Sequence, residues 1–292
     1  LTAVLEGIAP ELGTAVVGRA RPAWVSSLGL ITGTTIIVGL LLMGWFLPLR
    51  YSPTALGAKI LQRPGSNHWF GTNEVGQDMF ARTIRAARTD LPLALEGTAL
   101  ATLVGVVGGL LVSTRHRSSE WIMRGLDAFQ ALPLLIVTIA LVVIANNSLI
   151  MVAVAICFVS GPFYIRLVRS QTLALRDSRF VEASRASGTS PVRLMVRHLL
   201  PNLRNLILTQ TANTAAVALL VVAALSFLGV GTVPPTPSWG AMIRDGSDQL
   251  VTGQWWDAFF PGLALFACIL SFNLIADGLR DRASRQRGTG SQ

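Results

Sequence analysis

Residues 128–165 read AFQALPLLIVTIALVVIANNSLIMVAVAICFVSGPFYI, without a single charged side chain. A bilayer hydrocarbon core about 30 Å thick is crossed by about 20 helical residues rising about 1.5 Å each. The stretch is too long for one crossing, and its apolar character is interrupted at Asn146, Asn147 and Ser148. It therefore predicts a helical hairpin that turns at those three residues. Outward from it lie four further apolar runs of spanning length: Trp24 to Leu49, Leu91 to Ser113, Leu206 to Val230 and Ala258 to Ala276. The predicted fold is an all-α integral membrane protein with six transmembrane helices, since helices satisfy every backbone polar group where no water is present.

Composition supports this and narrows the function. Of 292 residues, 51% are hydrophobic and only 13% are charged, against roughly a quarter charged in soluble domains. The net charge of +9 comes from 24 basic residues, all Arg except Lys59. They alternate with long uncharged segments instead of interleaving with aromatics, a pattern of membrane topology and not of nucleic-acid binding. Cys157 and Cys268 fall inside apolar runs and read as buried free thiols. His68, His116 and His198 lack metal-ligand spacing, and Lys59 lacks the Gly-rich loop of a nucleotide site. No metal or cofactor is expected in this chain. The first apolar run follows Arg19 and Arg21, but it exceeds a signal-peptide core of about 7–15 residues and lacks an A-x-A exit, so it is expected to remain as an anchor.

Orientation follows from the Arg residues, which cytoplasmic loops retain in excess. With the N-terminus cytoplasmic, the inner side holds 17 Arg and the outer side seven basic residues: Arg50, Lys59, Arg63, Arg82, Arg85, Arg88 and Arg244. The expected organisation is a cytoplasmic segment at 1–23, a first span at 24–49, an extracytoplasmic loop at 50–90, a five-span core at 91–277 and a cytoplasmic basic tail at 278–292. In the outer loop, Met79, Phe80, Ile84 and Ala87 have a roughly helical spacing and predict a short interfacial helix. A second outer loop runs from Pro234 through Trp239 and Gly240 to Trp255 and Trp256, two tryptophans expected at headgroup level.

The cytoplasmic loop at about 166–204 predicts a helix-turn-helix. Gly188 interrupts the first helix, and Pro191 sits where a first helical turn accepts proline. The second helix carries Val192, Leu194, Met195, Val196 and Leu199 and is expected to end at Pro201. Its apolar residues would face the cytoplasm unless something binds them. The order Glu182, Ala183, Ser184, then Gly188, Leu194, His198, Leu199, Leu200 and Pro201 resembles the EAA loop of ABC importer permeases. Upstream, Tyr164 to Arg169 and Phe180 to Val181 are similar to the peptide and nickel branch of that family. Downstream, Ser226 to Gly231, Pro234 to Gly240, Pro261 to Leu263 and Asn273 to Asp281 resemble its C-type subunit. The outer segment Gly71 to Arg88 matches more loosely, differing at Asn73, Gln77 and Ala86.

The resemblance implies a type I ABC importer in the bacterial inner membrane, with both termini of this chain cytoplasmic. Its partners would be a second homologous permease subunit, two ABC ATPases that bind ATP and Mg²⁺, an extracytoplasmic substrate-binding protein and the lipid bilayer. It implies that Glu182, Ala183, Ser184, Gly188, Leu194, Met195, His198, Leu199 and Pro201 couple to the ATPases, and that the cargo is a dipeptide or oligopeptide, with nickel chelates as the alternative. From the residues alone, Glu182 is a solvated helical carboxylate as readily as a contact, Gly188 an ordinary turn glycine, and His198 a structural hydrogen-bonding group.

Polar residues within spans are more telling. Gln210, Asn213 and Thr214 share one helical face and suit either a translocation path or interhelical hydrogen bonding. Glu96 and Asp277 read as lying near span ends, where snorkelling or pairing is the default. A membrane-embedded enzyme would need paired acids, an activated nucleophile or a metal cluster within the spans, and the sequence offers none; a non-catalytic role is expected.

Overall fold

The computed structural model describes residues 23–57, 59–113, 117–176 and 190–288. They form helices α1 (Ala23–Phe46), α2 (Met79–Leu111), α3 (Arg117–Gln130), α4 (Leu134–Ile144), α5 (Leu149–Arg176) and α6 (Pro191–Leu194). A π-helical turn, Met195–Leu199, leads into α7 (Leu200–Phe227), followed by α8 (Trp239–Leu250) and α9 (Trp256–Gly288). Among the described residues the only β-type pairing is an isolated bridge between Thr72 and Asp78.

Five helical segments are long and apolar enough to cross a bilayer, and a sixth crossing exists if α3 and α4 are counted as one bent span. The hairpin turn falls where the sequence places it: Asn146 and Asn147 take the left-handed backbone conformation, which asparagine tolerates better than most residues. The hairpin's first arm differs from expectation. Ala128 to Gln130 belong to α3, Pro133 separates α3 from α4, the two meet at 88°, and α4 has only 11 residues. The reason is legible in α3, where Arg117, Glu120, Arg124 and Asp127 recur every three or four residues on one face. Such a helix suits an interface and not the hydrocarbon core. Arg166 of α5 bonds both Asp127 and Gln130 and holds α3 against the bundle.

The outer segment corrects a second expectation. Met79, Phe80, Ile84 and Ala87 belong to no separate interfacial helix, because α2 continues unbroken for 33 residues through Pro92. Its start is set by Asp78, whose Oδ1 accepts from Ala81 N at 2.7 Å while Oδ2 meets His68 Nδ1 at 2.8 Å. Glu96 lies near the middle of this long helix. Asp277 does pair, with Arg280 at 3.4 Å, on a helix that carries the basic tail as far as Gly288.

The bundle is built on the crossing of α2 and α5. A Cβ placed on Gly97 would lie 2.7 Å from Ile156 Cβ, one on Gly105 2.1 Å from Tyr164 Cβ, and one on Gly109 2.6 Å from Val168 Cβ. In lipid, where apolar side chains gain nothing by leaving hydrocarbon, such close approach supplies the dispersion contacts that hold helices together. Gly33 of α1 lets that helix approach the Ser271 carbonyl of α9, and Gly240 and Gly246 seat α8 on the outer ends of α7 and α9. The apolar exterior of α1, with Leu28, Ile31, Leu42 and Trp45 exposed, fits a helix with one face toward lipid.

Gly105→Val is expected to destabilise the chain by about 1–3 kcal/mol or more through overpacking against Tyr164. Gly125→Ala, where a Cβ meets nothing within 4 Å, is its neutral control. Thermal unfolding of the detergent-solubilised protein checks the difference.

Candidate functional site

The coupling motif is described only from Ser190 onward. Glu182, Ala183, Ser184 and Gly188 lie outside the described residues. Pro191 opens α6 as expected, with Ser190 O accepting from Leu194 N at 2.9 Å and Ser190 Oγ from Arg193 N at 3.4 Å. Beyond that point two expectations change. Pro201 does not end the helix: Val192 to Phe227 form one helical run of 36 residues. A proline lacks an N–H and crowds the carbonyl four residues back. Here the preceding π-helical turn shifts the bonding register, Leu200 N donating to Met195 O, and Asn202 Nδ2 donates to His198 O at 2.8 Å.

The apolar stripe is also divided. Leu194 and Leu199 are 3% and 1% exposed and pack with Leu175 at the end of α5 and with Met195. They are covered by the chain itself and do not wait for a partner. The apolar residues left open are Val192 and Val196, at 70% and 59% exposure, one helical turn apart beside exposed Arg193 and Arg197. His198 is half-buried and Pro201 exposed. The segment thus has one face docked on α5 and another open, and it continues directly into a membrane span.

That span carries the polar residues singled out above. Thr214 is buried, Gln210 and Asn213 are half-buried, and Gln210 Nε2 reaches Thr214 Oγ1 at 3.5 Å. Val217 and Leu220 prolong this face and are exposed. The interhelical hydrogen bonding falls on a different residue. Thr211 Oγ1 accepts from Tyr164 OH at 3.2 Å and lies 3.3 Å from Thr102 Oγ1, which donates to Tyr164 OH at 3.0 Å. This triad joins α2, α5 and α7 at one level; among the described residues the Gln210 side chain bonds only to Thr214 of its own helix. Tyr164 was missed by sequence reasoning because it sits in an apolar run; a tyrosine at that depth, needing a partner for its hydroxyl, was the available signal.

At the end of the bundle away from the Ser190 segment, α8 is locked to α2. Buried Asp90 accepts from Trp239 N at 2.8 Å and Ser238 Oγ at 3.2 Å, and the Trp239 indole donates to Thr83 O at 2.9 Å. Trp255 is about half exposed, whereas Trp256 is buried and donates to Thr72 O at 3.3 Å. It fastens the first outer loop to the base of α9 instead of meeting headgroups. Cys268 is buried and Cys157 half-buried, and both are free thiols.

Helices long and apolar enough to cross a bilayer, with a half-polar face on α7 that is continuous with the Ser190 segment, define a multi-pass membrane protein. Residues 97–287 match the family described as the binding-protein-dependent transport system inner membrane component. The chain is 36% identical over 256 residues to the dipeptide transport system permease protein of Alkalihalophilus pseudofirmus, covering 86% of this chain and 84% of that protein. It is 36% identical over 263 residues to the probable D,D-dipeptide transport system permease protein of Escherichia coli, covering 88% of each. With the di/tripeptide transport system permease protein of Pseudomonas aeruginosa it shares 35% identity over 261 residues, covering 87% of this chain and 85% of that protein. The chain belongs to this family of ABC importer permeases.

Removing the Tyr164 hydroxyl with Tyr164→Phe is expected to cost about 0.6–1.5 kcal/mol of stability, measured as a lowered unfolding temperature. Asn213→Leu is expected to leave that temperature unchanged and to slow uptake of some cargoes more than others. Unaltered uptake of every cargo would remove this face from the path.

Proposed function

We propose that this chain is a permease subunit that carries short peptides inward by alternating access, driven by ATP hydrolysed on partner chains. It works beside a second, homologous permease subunit, above two ABC ATPases that hold ATP and Mg²⁺, and below an extracytoplasmic binding protein that delivers cargo. It resides in the bacterial inner membrane with both termini cytoplasmic, and it is not itself a catalyst. The peptide cargo is supported by relatives named for dipeptides and di/tripeptides, which favour it over nickel chelates. The orientation is supported by the 17 to seven excess of basic residues on one side.

The observation that carries the mechanism is the single helical run from Val192 to Phe227. At about 1.5 Å per residue it is a rod about 54 Å long. Its cytoplasmic end presents Val192 and Val196, and its membrane portion carries Gln210 and Asn213. Closure of an ATPase pair around the open end would tilt the rod as a body and displace the polar face at the other end. The anchorage of Leu194 and Leu199 on Leu175 gives the tilt a fulcrum. The segment containing Glu182, Ala183, Ser184 and Gly188 would seat in the ATPase cleft and set the angle of the rod.

The coupling test compares two faces of one segment. Val192→Glu combined with Val196→Glu is expected to leave the chain folded while its ATPases no longer co-purify. Leu199→Glu is expected to unfold the docking against Leu175 and to lower the unfolding temperature. Gly188→Val is expected to abolish uptake, with ATPases lost or with hydrolysis no longer stimulated by loaded binding protein. Normal assembly, stimulation and uptake in the Gly188 and double Val variants would remove this loop from the transmission.

Topology is checked with single cysteines in a chain lacking Cys157 and Cys268. Arg193→Cys should label only from the cytoplasmic face and Val251→Cys only from outside. Labelling of both from one face overturns the orientation.

A further inference from the structure

Glu96 is out of place for a solvated or snorkelling carboxylate. It lies on α2 beyond Arg88, whose backbone is level with Gly44 of α1: a Cβ on Gly44 would sit 3.4 Å from Arg88 N. Gly44 is two residues from the end of α1 at Phe46, where the first run of spanning length and apolarity stops, and we take that level as the margin of the span. Eight further helical residues place Glu96 about 12 Å deeper. It is exposed on the chain and makes no hydrogen bond or ion pair among the described residues. An acid at that depth is too costly to face lipid, and intramembrane acids instead face the bundle interior or a water-filled cavity.

Such a cavity is present. A hollow of about 470 Å³ opens between α2, the start of α5 and the outer loop at Thr236 and Pro237. Glu96 is the one acid among its lining residues, and Arg85 and Arg88 are its basic ones. Arg85 Nη1 donates to Gly44 O at 2.9 Å and the Arg88 guanidinium lies 4.1 Å from the Trp45 ring, which fixes both near the outer margin. Two basic residues, their guanidiniums held against α1, thus border one end of the hollow, and the Glu96 carboxylate lies about 12 Å along α2 from Arg88. That separation matches three or four extended residues at about 3.3–3.6 Å each. A divalent cation would find one carboxylate and two guanidiniums, not the several oxygen ligands it requires.

We infer that Glu96 is a cargo-contact residue, whose carboxylate receives the ammonium group of a free peptide N-terminus entering the path, while Arg85 and Arg88 face the end that bears the carboxylate. This assignment rests on the peptide-importer reading above. It differs from the Gln210 and Asn213 face in being charged and in selecting for a free terminus.

The test uses the complete transporter in proteoliposomes, with Cys157→Ser and Cys268→Ala in this chain and a tripeptide as cargo. Glu96→Gln is expected to raise KM for uptake roughly tenfold, the loss of one charge-assisted contact, with Glu96→Asp recovering most of it. Glu96→Cys is expected to be impaired likewise and to react from outside with membrane-impermeant methanethiosulfonates. An anionic reagent should restore uptake and a cationic one abolish it. Failure of both reagents to react, or equal effects of the two, would overturn the assignment. Loss of the second permease subunit from purified Glu96→Gln complexes would make Glu96 a subunit contact and overturn it as well. If the unsubstituted transporter carries no tripeptide, the importer reading fails instead, and that result is separate from the reactivity at position 96.

Discussion

The approach of α2 to α5 across Gly97, Gly105 and Gly109 is the contact on which the other arrangements depend. In a bilayer the hydrophobic effect does not draw helices together, so the backbone itself must come close for dispersion and polar contacts to count. At Gly105 the missing side chain lets Tyr164 lie against the α2 backbone. From there its hydroxyl lies within hydrogen-bonding distance of Thr102 on the same helix pair and Thr211 on α7. Three spans are thereby held at one level. A methyl group at position 105 would push the ring away and uncouple the third helix from the first two.

With α7 held in this way, the remainder of the Val192 to Phe227 run would act as a lever in the mechanism proposed above. Its inner end is not free: Leu194 and Leu199 are buried on Leu175, so a force applied at Val192 and Val196 is shared between α5 and α7. The helix survives Pro201 because the π-helical turn and the Asn202 side chain absorb the lost backbone bonding. Continuity matters here, since a segment broken at the proline would dissipate motion in a hinge. At the other end of the bundle Asp90 of α2 binds the start of α8, and Trp256 at the start of α9 binds the loop at Thr72.

Much of this was legible in the residues. Period and length alone yield the spans, because a hydrocarbon slab of known thickness demands runs of known length, and the hairpin turn followed from two asparagines and a serine in an apolar run. The spacing of Glu182 to Pro201 pointed to the family. Less legible were features in which one residue meets another far along the chain. Thr102, Tyr164 and Thr211 carry no mutual signal in sequence, and Trp256 looked like its neighbour Trp255. Leu194 and Leu199 looked as exposed as Val192, since a one-turn difference of face is decided by the position of Leu175.

Composition and the length of the apolar runs were enough to place this chain in a membrane and to count its candidate spans, though not to fix where the helices begin and end: α2 starts at Met79 and not Leu91, and α9 runs on to Gly288. Membrane residence and span count are properties of transfer between water and hydrocarbon, summed over contiguous residues. It took the packed structure to show that α3 and α4 meet at 88°, that the helix continues through Pro201, and that Glu96 lines a hollow with Arg85 and Arg88. Those outcomes depend on which helix backbones approach one another. That is set by small residues meeting large ones across the bundle, and it leaves no periodic trace along the chain.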